Sequence, residues 1–511
     1  MRIRIVGAGA MGRGIAQWAA EAGHTVELCD AREGAAGQAV EFIEGMLDRA
    51  ATKQRITART AQAALERIHP SDTPTAPADD LDLVIEAIVE DHDAKLTLFR
   101  ELEECLPART LLATNTSSLS VTRIAAGLKD PSRLAGLHFF NPAPLMKIVE
   151  VIPGALTRPD IPRTLVKLVK ASGHSAVIVA DTPGFLINHV GRGLATEALA
   201  LLEESVADVE DIDRIAKDVL GLRMGPFELM DLTGLDVTAA VTDSVWQGFR
   251  HSERLRPSYL TASRVAAGLH GRKTGRGFYS YADGKASVGP ELPIDGDADR
   301  PAYVPGEGPE ADALREALCR SGVRLAATPR AKTAPLIFIP TWGTTVADAV
   351  GSGGFPADRT MGVDPLSLTT SRRVLAITPA TAPQAARDGR AVLARAGDAA
   401  EPYAVSVIRD APGSVAQRLL SSIISVAATL AERSIATPND IDVAVKAGLG
   451  YPQGPLLWGQ QVGAWRLLAL QRALYRTTGD PRYRPTRWVT ERAQLGLPLT
   501  QPAADPHHIN A

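Results

Sequence analysis

Apolar positions in the first third of the chain fall into short runs separated by stretches of helical period. Ile3, Ile5 and Val6 form the first run and Thr25-Val26-Glu27-Leu28-Cys29 the second. Ile15-Ala16-Gln17-Trp18-Ala19-Ala20 between them reads as a helix that ends near Gly23. Further strand-like runs lie at 82–88, 111–114, 134–138 and 148–152. Strands that alternate with helices predict a parallel sheet. One long helix of mixed charge is expected from Ala35 to about Thr60, and a shorter one follows Val89-Glu90-Asp91. After Pro183-Gly184-Phe185 the pattern becomes helical, over about 190–205, 209–220 and 229–249, interrupted at Gly225-Pro226-Phe227 and at Gly234.

The first strand runs into Gly7-Ala8-Gly9-Ala10-Met11-Gly12, which opens a helix, and the next strand closes on Asp30. Glycines in that spacing, between a strand and a helix and answered by an acid, are the dinucleotide fingerprint. Gly7 allows the turn, Gly9 admits a pyrophosphate to the backbone, and Gly12 packs helix on strand. The helix amino terminus at Ala10 and Met11 offers N–H groups to the phosphates. Asp30 should accept from a ribose 2′-hydroxyl and repel a 2′-phosphate, which favours NAD over NADP, although Arg32 stands close by.

The stretch from Gly136 to Ile152 holds His138 and Glu150 with almost nothing else polar between them. Asn141-Pro142 and Pro144 break the chain into a turn, so the apolar run carrying Glu150 can fold back on the strand carrying His138. A buried carboxylate needs a partner, and an imidazole beside it becomes an oriented base. Asn115 and Ser117 follow another strand. They fall at the carboxyl edge of the sheet, where open α/β folds bind ligands.

The 511 residues exceed one ordinary core, so two to four domains are expected. A net charge of −3 provides no pull toward nucleic acid or an anionic membrane surface. Cys29, Cys105 and Cys319 are few and far apart, which argues against a disulfide framework or a metal centre and for a reducing compartment, the cytoplasm. No apolar run is long enough to span a bilayer.

With GAGAMGRGIA, VIEAIVED, TNTSSLSVT, HFFNPAPLMKIVEVI and DTPGFLINHV in that order, residues 1–282 resemble the 3-hydroxyacyl-CoA dehydrogenase family. The resemblance implies NAD as cofactor and (S)-3-hydroxyacyl-CoA as substrate, as in β-oxidation. It implies His138 as the general base and Glu150 as its partner, with Ser117 and Asn188 holding the substrate oxygen. Glu90 and Lys95 would lie near the nicotinamide end, and Lys53 near the CoA nucleotide. A homodimer, or an internal pseudo-dimer of helical domains, is implied as well.

The second half repeats the first. Asp181-Thr182-Pro183-Gly184 recurs as Asp410-Ala411-Pro412-Gly413, and Gly225, Pro226 and Gly234 recur as Gly454, Pro455 and Gly463, all at an offset of 229. Asn188, however, falls on Gln417, and neither the fingerprint nor His-Phe-Phe-Asn-Pro recurs. The expected fold is an α/β Rossmann-type domain, an all-α domain, a degenerate α/β segment and a second copy of the all-α domain. The boundaries are 1–182, 183–282, a linker at 283–310, 311–409 and 410–490, with a loose tail at 491–511. Two other readings stand beside the acyl-CoA one. A dehydrogenase of a CoA-free hydroxy acid would act on free acetoacetate. A non-catalytic NAD-binding protein would survive loss of His138.

Overall fold

Strand β1 (Arg2–Val6) sits inside an eight-stranded sheet with β2 (Thr25–Cys29), β3 (Ile68–Ser71), β4 (Leu83–Glu86), β5 (Leu111–Thr114), β6 (Leu134–Phe139), β7 (Ile148–Pro153) and β8 (Ser175–Ile178), in the order β3-β2-β1-β4-β5-β6-β7-β8. Neighbours are parallel except β6 and β7. Helices α1 (Ala10–Glu21), α2 (Ala35–Thr52), α3 (Ala58–Leu65), α4 (His92–Cys105), α5 (Val121–Ala125) and α6 (Asp160–Ala171) connect the strands. Ile3, Ile5, Val26, Leu28, Leu83 and Ile85 are sealed from solvent beneath them. β4 reads as a near-continuous apolar run, as strands covered on both faces do, whereas β1 and β2 alternate and pair Arg4 with Glu27 at 2.8 Å.

The structure, a computed structural model, describes residues 1–399 and 401–504. Its described residues form two compact bodies, one of residues 1–189 with 433–449 and one of residues 190–432 with 450–504. Among the described residues no helix is long and apolar enough to cross a membrane.

The single helix expected over 35–60 is two. Gln54 takes φ 55°, which ends α2, and Thr57 starts α3 by accepting from Thr60 N at 3.1 Å. A left-handed residue stops a helix and a threonine cap starts one, so Lys53 lies at the end of α2.

The second body takes in α7 (Ile187–Glu203) from its fourth residue, then α8 (Val209–Asp218), α9 (Pro226–Thr233), α10 (Leu235–Gly248) and α11 (Tyr259–Ala266). Strands β9 (Tyr281–Ala282) and β10 (Lys285–Ala286) make a small hairpin. A five-stranded sheet follows, of β11 (Ala302–Tyr303), β12 (Leu336–Pro340), β13 (Thr360–Val363), β14 (Arg372–Ile377) and β15 (Ala404–Arg409), in that order. Helices α12 (Pro309–Arg320), α13 (Val346–Gly353) and α14 (Pro383–Arg395) pack on it, and α15 (Val415–Glu432) leads away. After α16 (Pro438–Leu449) come α17 (Pro455–Val462), α18 (Ala464–Thr478) and α19 (Arg487–Leu495).

Three boundaries move. β11 already belongs to the sheet, so the expected linker at 283–310 ends sooner and the α/β segment begins before 311. The expected loose tail starts inside α19, and Leu499 is buried where its carbonyl accepts from Trp488 Nε1 at 2.9 Å. Residues 505–511 lie outside the described residues. Helix α16 belongs to the first body, where Ala180 N donates to Ile435 O at 2.8 Å. A Cβ added to Gly448 on that helix would lie 2.6 Å from Ile187 Cδ1.

The five-stranded sheet has the strand order and directions of β4 to β8, with β13 and β14 antiparallel as β6 and β7 are. Asp181 accepts from Val121 N and Thr122 N, and Asp410 accepts from Val346 N and Ala347 N. Gly136 is pressed against Val121 and Ile152, and Gly362 against Val346 and Ala376. Gly184 and Phe185 have positive φ, and so do Gly413 and Ser414.

Candidate active site

The carboxyl ends of β1, β4, β5 and β6 come out at one edge of the first sheet, where Gly7, Asn115 and Ser117 follow strand ends and His138 lies one residue before the end of β6. At β1 the glycines divide the work. Gly7 has φ 108°, and a Cβ there would meet Ala87 O at 2.4 Å. A Cβ on Gly12 would meet Gly7 O at 1.6 Å. Gly9 has nothing within 4 Å, so its missing side chain leaves space outside the protein rather than inside it. The first-turn N–H groups of α1, at Ala10 and Met11, face that space without an intrahelical acceptor. A cavity of about 810 Å³ runs from Gly9 and Ala10 to Asp30 and Arg32. Asp30 accepts from Ala8 N at 2.8 Å and from Arg32 N at 3.0 Å. Burial pushes its carboxyl up, but these donors outweigh it and hold the group below its ordinary value. An open cradle, a helix amino terminus and an ionised acid fit a dinucleotide.

At β4 and β5 a second group is built around charge. Lys95, on α4, is buried against Glu86 with Nζ to Oε1 at 2.5 Å, and lies 3.3 Å from Glu90 Oε2. Burial raises the Glu86 carboxyl, with Lys95 opposing. Glu90 Oε1 gathers the loop after β5: it accepts from Thr116 Oγ1 at 2.7 Å, Ser117 N at 2.8 Å and Ser118 N at 2.9 Å. Burial works against its ionisation, yet the Thr116 hydroxyl, Lys95 and the loop donors hold its carboxyl at about 2. Ser117 itself stays exposed, with Oγ 3.3 Å from Glu90 Oε1. The Asn115 side chain points the other way and accepts from Phe139 N at 2.8 Å, which ties β5 to the residue after His138.

At β6 the antiparallel register places His138 directly opposite Glu150. Directly opposed residues on one face hold their Cβ atoms about 5 Å apart, close enough for side chains to bond. His138 Nδ1 donates to Glu150 Oε2 at 2.6 Å. Oε1 of the same carboxylate accepts from Leu186 N at 3.1 Å and Ile187 N at 2.8 Å, so Glu150 also caps the start of α7. Asn188 is the next residue of that helix. Phe140 and Phe185 flank the imidazole, with ring centroids 4.4 and 5.8 Å away. Phe185 takes φ 47°, a left-handed conformation costly for a large side chain, and thereby lays its ring against the histidine.

A further groove of about 740 Å³ lies between α1, α2 and the turn at 141–147. Lys53 lines it together with Arg13, Arg49, Arg55 and Lys147, against Glu21 as the acidic member. Arg13, Arg49 and Lys147 were not expected as ligands from the sequence. Arg13 lies 3.6 Å over the ring of Phe42, which is exposed to the groove.

Comparison with known proteins identifies the family. The model of the 3-hydroxyacyl-CoA dehydrogenase NAD binding domain matches residues 2–182, and that of the family's C-terminal domain matches 184–281 and 413–501. The chain belongs to the 3-hydroxyacyl-CoA dehydrogenase family. It is therefore an NAD-dependent oxidoreductase. Over 508 residues it is 36% identical to 3-hydroxyadipyl-CoA dehydrogenase of Escherichia coli K12, covering 96% of this chain and 97% of that one. A probable 3-hydroxybutyryl-CoA dehydrogenase of Bacillus subtilis is 40% identical over 282 residues, 55% of this chain and 98% of its own length. Among solved structures, 3-hydroxybutyryl-CoA dehydrogenase from E. coli K12 superposes with a TM-score of 0.85 at 36% identity, covering 97% of this chain and 98% of that one. The second sheet of this dehydrogenase carries a different set of residues. In the register of His138 and Glu150 it has Asp364 and Val374, since Asp364 N donates to Val374 O. Gln417 fills the space beside them: its Nε2 donates to Thr341 O and Asp364 Oδ1, both at 2.9 Å, and its Oε1 accepts from Gly343 N at 3.0 Å.

Proposed function

We propose that the chain interconverts (S)-3-hydroxyacyl-CoA and 3-ketoacyl-CoA, with His138 as the proton-transferring group. The 2.6 Å contact between His138 and Glu150 carries this reading. Because Nδ1–H points at the carboxylate, Nε2 holds the lone pair and is free to take a proton from the C3 hydroxyl. Glu150 fixes that tautomer and stabilises the imidazolium that forms. The C3–H bond breaks with its electron pair, and the C3–O bond becomes a carbonyl. NAD, when bound, supplies the hydride acceptor. In the reverse direction His138 returns the proton to the carbonyl oxygen. Ser117 and Asn188 hold that oxygen, and Glu90 with Lys95 organises the loop that presents Ser117. The cationic groove at Lys53 suits the phosphates of CoA, because opposite charge lowers the cost of seating a polyanion.

Residues 302–501 are read as a partial copy of 83–281 that lacks the fingerprint strands and the dyad. The shared strand order and the Asp181–Asp410 pair support this. The copy makes the chain an internal pseudo-dimer with one reacting site. The free thiols of Cys29, Cys105 and Cys319 suit a cytoplasmic enzyme.

NADH consumption is to be followed with acetoacetyl-CoA, 3-ketoadipyl-CoA and free acetoacetate, the wild type beside His138→Gln. The adipyl arm is included because the relative that matches along 96% of the chain is a 3-hydroxyadipyl-CoA dehydrogenase. Turnover of a CoA thioester, falling by about 10²-fold or more in the variant, is expected. Turnover of free acetoacetate alone would replace the acyl-CoA reading, and equal activity of both proteins would remove His138 from the chemistry.

A further inference from the structure

The adenosine end of the dinucleotide cavity holds two opposite charges where the fingerprint requires only one. Asp30 ends β2 with its side chain mostly buried, and Arg32 projects beside it, its side chain 78% exposed. Arg32 Nε lies 3.4 Å from Asp30 Oδ1, and both residues line the cavity. Asp30 is already committed to backbone donors at Ala8 and Arg32, so its orientation does not depend on the guanidinium. Nearby Asp72 is likewise taken up, accepting from Gly34 N at 3.2 Å. A lone carboxylate at this corner would repel a 2′-phosphate. With a guanidinium beside it the local charge cancels, and a planar fork of N–H donors is free to turn toward an added phosphate.

We propose that Arg32 makes this corner accept a 2′-phosphate as well as a 2′-hydroxyl, so that the protein binds NADP(H) beside NAD(H), with Asp30 setting the preference for NAD. The inference rests on the NAD-dependent activity assigned above. It makes Arg32 a specificity-determining residue for the cofactor and leaves the reacting end unchanged.

Calorimetric titration of the full chain with NADH, NADPH and adenosine 2′-monophosphate tests it, in the wild type, Arg32→Ala, Arg32→Lys and Asp30→Asn. Arg32→Ala should weaken NADPH and adenosine 2′-monophosphate by about tenfold or more, the scale of a lost charge-assisted contact, and leave NADH within about threefold. Arg32→Lys should recover part of the loss. Asp30→Asn should tighten NADPH relative to NADH, and raising the salt concentration should weaken NADPH more than NADH. NADH binding by a wild type that ignores NADPH at the same concentrations, or NADPH affinity unchanged by Arg32→Ala, overturns the proposal. Failure of the wild type to bind either dinucleotide would instead overturn the cofactor site itself.

Discussion

Glu150→Gln separates orientation from packing at the dyad, because the replacement has nearly the same shape. In the wild type one carboxylate oxygen receives His138 Nδ1–H and the other receives Leu186 N and Ile187 N. The amide has only one oxygen. If that oxygen stays on the two backbone donors, the amide NH₂ faces Nδ1 and forces it to be the acceptor. The ring proton then moves to Nε2, and the lone pair that should take the substrate proton is gone. If the amide turns over, the two N–H groups at the start of α7 lose their acceptor in a site closed to water. The first outcome is the cheaper, since one bond is reversed rather than two broken. Mis-setting the tautomer in the serine-protease triad costs about 10⁴ in turnover, and a positioned acid–base contributes about 10² to 10⁴. A fall of 10² to 10⁴ in kcat is therefore expected, about 3–5 kcal/mol of barrier. Replacing three charge-assisted bonds by neutral ones should also cost roughly 1–3 kcal/mol of stability. Steady-state kinetics across pH, paired with thermal melting, measure both. A Gln variant that keeps kcat within about threefold and the same pH profile would refute the orientation argument, whatever happened to its melting point.

Two further predictions follow from the same edge of the sheet. Gly9→Ala should melt with the wild type, since nothing lies within 4 Å of the added methyl, yet bind NADH more weakly, whereas Gly12→Ala should unfold early because its Cβ would sit 1.6 Å from Gly7 O; melting curves with and without NADH distinguish them. For Glu90 the folded carboxyl is held at about 2, below its ordinary 4.5. The stabilisation is therefore complete above pH 4.5 and is lost as pH falls toward 2. The melting difference between wild type and Glu90→Gln should be flat above pH 5 and shrink below it. A difference that grows on acidification contradicts the geometry.

Much of the first body was legible because its determinants are local. The turn at Gly7, the helix start at Ala10 and the acid at Asp30 are fixed by neighbouring residues. The pairing of His138 with Glu150 follows from a hairpin whose ends must face one another. Where the determinants are distant, the reading fell short. Nothing near Gln54 in sequence, neither glycine nor proline, announces the break between α2 and α3. β13, Thr360-Met361-Gly362-Val363, has a glycine and no apolar run to mark it, and β11 has only two residues. The groove cations Arg13 and Lys147 come from separate elements and meet only in the fold. Asn115 lies at the expected edge, and its link to Phe139 N joins residues far apart in sequence. The prolines at 498 and 502 suggest a loose end, yet Leu499 is buried and tied to Trp488 eleven residues earlier.

Helix α16 lies far along the chain yet belongs to the first body, while most of α7 and all of α8 to α11 belong to the second. Each half of the polypeptide thus lends a segment to the body that the other half mainly builds. Opening the backbone in the stretch between β10 and β11 would sever no strand of either large sheet. Two fragments cut there would each lack a segment that the other holds. Mixed together, they have what they need to reassemble without the bond between them.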